Sequence, residues 1–199
     1  MDRQLVNKSK QLSWLLRHGA HEQRLAMDEA GWMDVDELLA FLNISRTELE
    51  LIVNTNNKAR FQLVDQRVRA CQGHSVENHA VTRKALEASW SEYVGNASIW
   101  HGTTADAVEN IAHQGILPIT RTHVHCASAW DSIVGKRANV AVMLEISPAK
   151  IRKAGFNIFF APNGVVLVRH IPPDAIISLV ALTKRAKKRE TELRGYLGL

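Results

Sequence analysis

Cysteine is scarce in this 199-residue chain, and the two present, Cys71 and Cys126, lie at no metal-ligand spacing. A disulfide scaffold and a thiolate metal centre are thereby excluded, and both residues are expected as free thiols. Long apolar runs are missing as well. No stretch approaches the roughly 18 apolar residues of a membrane span. The opening segment, MDRQLVNKSKQL, has neither the apolar run nor the small-residue cleavage site of a secretory leader. A cytoplasmic location without membrane association is the expectation. Internal repeats, low-complexity tracts, a glycine-rich phosphate loop and a nucleophile elbow are also absent, and nothing marks an obligate protein partner.

What is there is an ordinary globular composition, 46% hydrophobic and 23% charged, which at this length allows one large domain or two small lobes. The net charge of +5 is uneven: the first 94 residues sum to −1 and the remainder to +6. Most of the excess falls in the tail KRAKKRETELR, Lys184 to Arg194, so the basic balance by itself says little about nucleic acid. A solvated helix end and an RNA contact both account for such a tail.

The patterning predicts an α+β chain. Leu5, Leu12, Leu15 and Leu16 share a helical face over residues 5–18, with Gly19 as a stop. DVDE from Asp34 and SRTE from Ser45 are capping-box signatures opening two further helices. RFQLVDQRVRA then alternates as a hairpin turning at Asp65-Gln66. Three helices and a hairpin predict a winged-helix-like lobe over 1–94, ending in the polar stretch SVENHAVTR and a short helix, KALEASWSEYV. Over 95–199, SIWHGT, HVHCA, NVAVMLEI, two segments flanking PNG, and IISLVALT read as strands, with TADAVENIAHQ a helix ended by Gly115. This second lobe is expected to rest on antiparallel sheet.

Donors of hydrogen bonds to anions recur through both lobes. Arg17-His18 closes the first helix, where the helix dipole alone would favour cations. Arg69 lies on the hairpin, followed by Gly73-His74-Ser75. WHGT sets His101 beside Gly102, a residue type that permits close approach of backbone or ligand. RTHVHC is expected to set Arg121, His123 and His125 on one strand face, which only anions or water would satisfy if buried. The His123-x-His125 pair, with His101, could serve a metal, but no Cys, Asp or Glu stands at ligand spacing nearby, so no metal is expected.

The ordered motifs LSWLLRHGA, GWMDVDELLAFL, RFQL, VRACQGHS, WHGT, IAHQGILPITRTHVHCA, GKR, VAVMLEI, AGFNIFFAPNGVVL and IPPDAI together resemble the NAD-dependent RNA (tRNA) 2′-phosphotransferase family across nearly the whole chain. The resemblance implies a winged-helix RNA lobe followed by an ADP-ribosyltransferase-like NAD lobe. It also implies a catalytic set of Arg17, His18, Arg69 and Arg121 in the cleft between them. Implied NAD contacts are His101, Gly102 and Thr103, with His74 and Ser75 as additions. Three arginines suit a phosphate monoester, because guanidinium forks bind its oxygens bidentately and stay charged at any working pH.

The activity so implied is removal of an internal RNA 2′-phosphate of the tRNA splice-junction type, with NAD as co-substrate and no metal. It proceeds through an ADP-ribosylated RNA 2′-phosphate. The products are nicotinamide, ADP-ribose 1″,2″-cyclic phosphate and 2′-OH RNA. Cys126 departs from the aliphatic residue expected after the His-Val-His run, as a small apolar replacement, and the tail extends past the last matched motif. Two rivals stand beside this reading. One is an ADP-ribosyltransferase that leaves ADP-ribose on its target, for which the late acidic residues are Asp174, Glu190 and Glu192. The other is a non-enzymatic winged-helix nucleic-acid binder, which leaves the Arg121 and His101 segments unexplained.

Overall fold

The computed structural model describes residues 3–136 and 139–199. The chain is α+β and divides into two compact units, Met1–Ser91 with Thr120–Thr122, and Glu92–Ile119 with His123–Leu199. Among the described residues, no helix is long and apolar enough to cross a membrane.

The first unit opens with α1 (Arg3–Trp14), which runs directly into a π turn, Leu15–Gly19. Ala20 N donates to Leu15 O at 3.1 Å, a five-residue step. With this extra residue in the turn, Leu12, Leu15, Leu16 and Ala20 all reach zero exposure. Gly19 is the last helical residue, as its sequence position predicts, although Ala20 after it keeps right-handed geometry. It is needed for space: a Cβ there would lie 2.4 Å from the Trp14 ring. π turns are rare and costly, and they tend to occur where a site needs a side chain re-aimed.

Helices α2 (Val35–Leu42) and α3 (Arg46–Asn54) start where their caps predict. At Ser45 the box is reciprocal: Glu48 N donates to Ser45 Oγ, and Ser45 N donates to Glu48 Oε2 at 2.7 Å. At Asp34 only half of it forms, because Glu37 accepts from Ala26 N instead. Strands β1 (Met33–Asp34), β2 (Phe61–Val64) and β3 (Arg67–Ala70) make an antiparallel sheet in the order β1-β3-β2. Phe61 pairs with Ala70 and Leu63 with Val68, which turns Phe61, Val68 and Ala70 into the helical core. The next helix, α4, is short (Arg83–Ala88) rather than running to Val94. Trp90 folds back to donate from Nε1 to Cys71 O at 3.0 Å, and the chain moves on through β4 (Ser91–Glu92).

The second unit is built on β5 (Ile99–Thr103), β6 (Val124–Ala127), β7 (Val142–Ile146), β8 (Ile158–Phe160), β9 (Val165–Val168) and β10 (Ile176–Ala181). The sheet order is β10-β7-β5-β6-β9-β8-β4, with every pairing from β10 to β8 antiparallel. Its near-continuous apolar strands fit burial on both faces. Helices α5 (Val108–Gln114), α6 (Pro148–Lys153) and α8 (Glu190–Leu197) contribute Ile111, Ile151 and Leu193 to that core. The basic tail is thus structured: α7 (Lys184–Lys188) and α8 bury Ala186 and Leu193, and Arg194 donates to Leu179 O at 2.5 Å. Both cysteines are free and buried, and burial raises both thiol pKa values, Cys71 to about 11.

Candidate active site

The π turn presents Arg17 and His18. Arg17 O accepts from Ser75 N at 3.1 Å, and Gly73, at φ +93°, brings its backbone so close that a Cβ would lie 3.2 Å from Arg17 Nε. Between these two contacts the guanidinium is enclosed. Its Nε and Nη2 are buried, and no described residue offers them an acceptor. Burial, then repulsion from Arg60 and Arg121, pushes the Arg17 pKa down to about 10. A buried charge costs free energy unless paired, so this arrangement calls for an anion from outside the chain.

Arg121 arrives by a non-local route. Residues 120–122 pack with the first unit rather than with the sequence around them. Arg121 forms an antiparallel bridge with Ser75. Thr122 N donates to His74 O at 3.0 Å, and Val76 N donates to Thr120 O at 3.1 Å. The row of Arg121, His123 and His125 expected on one strand face does not form. Strand β6 starts only at Val124, and His123 is buried against the edge of Phe159. His18 is more exposed than Arg17. Its pKa is lowered by burial and by repulsion from Arg17 and Arg121, with Glu77 opposing.

Arg69 is buried and braced from several directions. Its guanidinium stacks 4.5 Å from the centre of the Trp32 ring. Nε donates to Gln62 Oε1 at 2.8 Å, while the terminal nitrogens reach Ala30 O and Ser89 O only at 3.5 and 3.4 Å. Burial lowers its pKa. The structure also supplies a cation to which sequence reasoning gave no role: Arg60, the first residue of RFQL, acts directly on Arg17. Its place beside Arg17, far from it in sequence within the same unit, is set by the hairpin register, which no local pattern reveals.

Of the residues assigned to NAD, His74 and Ser75 belong to the first unit and are buried. In the second unit, His101 Nδ1 lies 3.0 Å from His125 O. A carbonyl can only accept, so Nδ1 carries a proton in this contact. The space over Gly102 is used by the chain itself, since a Cβ would lie 2.6 Å from Val140 Cγ2. Thr103 is buried, and its carbonyl accepts from Ala141 N at 3.0 Å. Gly102 and Thr103 shape the strand that carries His101. Arg137 of the GKR motif lies outside the described residues. No group of three or more His, Cys, Asp or Glu able to hold a metal occurs among the described residues.

The late carboxylates are in use or at the surface. Glu192 pairs with Arg189 at 2.9 Å and Glu190 with Arg194 at 3.5 Å, while Asp174 is exposed on a short 3-10 turn, Pro173–Ala175.

An α+β fold whose first unit sets Arg60 and Arg121 within electrostatic reach of the enclosed Arg17 guanidinium has the chemistry of an anion-binding protein. Comparison with known proteins identifies which one. The chain belongs to the RNA 2′-phosphotransferase, Tpt1/KptA family, whose profile matches residues 3–170. Among its relatives, the Probable RNA 2′-phosphotransferase of Burkholderia lata is 37% identical over 175 residues, covering 83% of this chain and 87% of the relative. The protein so named in Pseudomonas syringae pv. tomato is 37% identical over 173 residues, covering 82% and 89%. That of Rhodopirellula baltica is 34% identical over 181 residues, covering 86% and 95%.

Proposed function

We propose that this chain removes an internal 2′-phosphate from RNA, with the first unit as a winged-helix RNA lobe and the second as an ADP-ribosyltransferase-like NAD lobe. The observation that carries the reading is the Arg17 guanidinium, buried at Nε and Nη2 without an acceptor from the described residues and flanked by further arginines. A phosphate monoester supplies the missing acceptors and neutralises the repulsion in one step.

NAD is the co-substrate, supplying the ADP-ribosyl group that departs with the phosphate as ADP-ribose 1″,2″-cyclic phosphate. Arg17 and Arg121 grip the phosphate oxygens. Arg69 offers its terminal nitrogens, whose bonds within the chain are long. His18, whose pKa is lowered by burial and by repulsion from Arg17 and Arg121, donates a hydrogen bond or proton beside the same phosphate. When charge builds on the phosphoryl oxygens, fixed guanidinium groups stabilise it more than they stabilise the starting ester. His101 orients the NAD ribose, with Gly102 and Thr103 shaping its strand, and His74 and Ser75 are the further NAD contacts of this reading. The arginines carry the positive charge that a metal would otherwise bring, so the reaction is proposed to proceed without one.

The test is incubation with NAD⁺ and a 2′-phosphorylated RNA in the presence of EDTA. The expected result is RNA with a free 2′-hydroxyl and released cyclic phosphate, with Arg121→Ala slower by about 100-fold. ADP-ribose retained on the RNA or on a protein, binding without turnover, or an unimpaired Arg121→Ala would overturn the reading.

A further inference from the structure

Arg46, Arg67, Arg189 and Arg194 each sit on a carboxylate. Arg69 is buried, where a charge without a partner is costly, yet no carboxylate among the described residues pairs with it. What holds it is neutral: the Gln62 amide oxygen, two distant carbonyls and the face of the Trp32 ring.

Strand register brings the indole there. Arg67 and Arg69, two apart on β3, share one face, while Val68 between them enters the core. β1 pairs with β3 at Met33 and Val68, so one step further along the register sets Trp32 level with Arg69. Both guanidinium groups then meet the same ring, Arg69 at 4.5 Å and Arg67 at 5.5 Å from its centre. Asp28 fixes the turn that carries the ring. Its Oδ1 accepts from Ala30 N at 3.0 Å and from Trp32 N at 2.9 Å, and Arg67 donates to its Oδ2. Asp28 is near enough to act on Arg69 through its charge, but both of its oxygens are engaged elsewhere.

A guanidinium balanced by a carboxylate has little charge left for an incoming phosphate. An aromatic face attracts a cation through its quadrupole and carries no net charge, so it fixes the group without neutralising it. Stacking also occupies the flat side of a guanidinium and leaves the edge N–H donors, which fork around phosphate oxygens, for a ligand. Resting on the reading in which Arg69 serves the 2′-phosphate, we propose that Trp32 is a positioning residue of the reaction: its indole face holds Arg69 in place with its charge intact, while Arg67 keeps the Asp28 carboxylate engaged away from it.

The experiment follows turnover of a 2′-phosphorylated RNA with NAD⁺ by the full-length protein, with tryptophan analogues carrying increasing numbers of ring fluorines placed at position 32. Each fluorine draws electron density off the ring face and leaves its shape nearly unchanged. Log kcat should therefore fall stepwise along the series, by about tenfold at full substitution of the benzo ring, while KM for NAD⁺ stays level. Arg67→Gln, which frees the Asp28 carboxylate, should be slower by up to about fivefold. Adding Asp28→Asn, which keeps Oδ1 as an acceptor but removes the charge, should restore the rate. A flat fluorine series, an unslowed Arg67→Gln, or a rate that Asp28→Asn does not restore would overturn the proposal.

A second readout needs no substrate. The side-chain N–H proton of Arg69 lies over the indole, so the ring current should shift its NMR signal upfield, and Trp32→Leu should abolish that shift. If the wild type turns over RNA and the fluorine series is flat, this inference alone fails. If no RNA is turned over, the functional reading fails, and the N–H shift still decides whether Trp32 holds Arg69.

Discussion

Arg17 is a charge enclosed by its own chain without an anion from the described residues, and most of the site's properties follow from it. Its depressed pKa of about 10 still lies well above neutrality, so the group stays protonated at any working pH and its desolvation penalty is present throughout that range. Removing the charge while keeping the bulk should therefore stabilise the free protein. Arg17→Met is expected to raise the unfolding free energy by about 1 to 3 kcal/mol, in line with apolar replacement of buried ions, and to abolish binding of 2′-phosphorylated RNA. Urea denaturation at pH 7 checks the first expectation, and a destabilised variant would refute it. How much of the site was legible at this scale depended on the residue. Arg17, His18, Arg69 and Arg121 stand in motifs and could be named in advance, whereas Arg60 acquires its place only from hairpin register. Gly102 was read as room for another backbone or a ligand, and the Val140 side chain takes that room, because which neighbour fills a glycine's space is a tertiary matter.

Among elements, those governed by local chemistry were the readable ones. The Ser45 box, the Phe61–Ala70 hairpin and the helix ending at Gly115 appear as their turn and cap residues dictate. The π turn was not readable, since an α-helix and a π turn share the same apolar spacing and the choice rests on packing of Leu12, Leu15, Leu16 and Ala20. The two-residue β1 is too short to show a period, and the tail reads equally as a solvated helix end or an RNA contact, with no sign that Ala186 and Leu193 anchor it. The Gly73-His74-Ser75 loop closes over the π turn and depends on backbone geometry that glycine alone adopts cheaply. Gly73→Ala must hold φ +93° with its Cβ only 3.2 Å from Arg17 Nε. It is expected to lose about 1 to 2 kcal/mol of stability and to bind 2′-phosphorylated RNA more weakly. An unchanged urea midpoint would show that the loop tolerates a side chain.

For the molecule as a whole, sequence order and spatial order part company at residues 120–122. A boundary near residue 94 follows from composition, but the return of Thr120–Thr122 to the first unit is a non-local pairing that no window of sequence contains. In the intact protein the Val76 and Thr122 amides, bonded to Thr120 and His74 oxygens, should exchange with solvent far more slowly than the amide of Ile119, which is 89% exposed. Hydrogen exchange read by NMR decides this, and equal rates would mean the pairing does not persist. The clustering of Arg17, Arg60 and Arg121 reaches beyond the reaction to the handling of the protein. Guanidinium groups that repel one another will take up whatever oxyanion the medium contains, so phosphate or sulfate buffers and contaminating heparin-like polymers should all compete with substrate. A kinetic constant measured in such a buffer describes the contest between two anions, and only chloride-based or zwitterionic media of stated ionic strength report on the RNA alone.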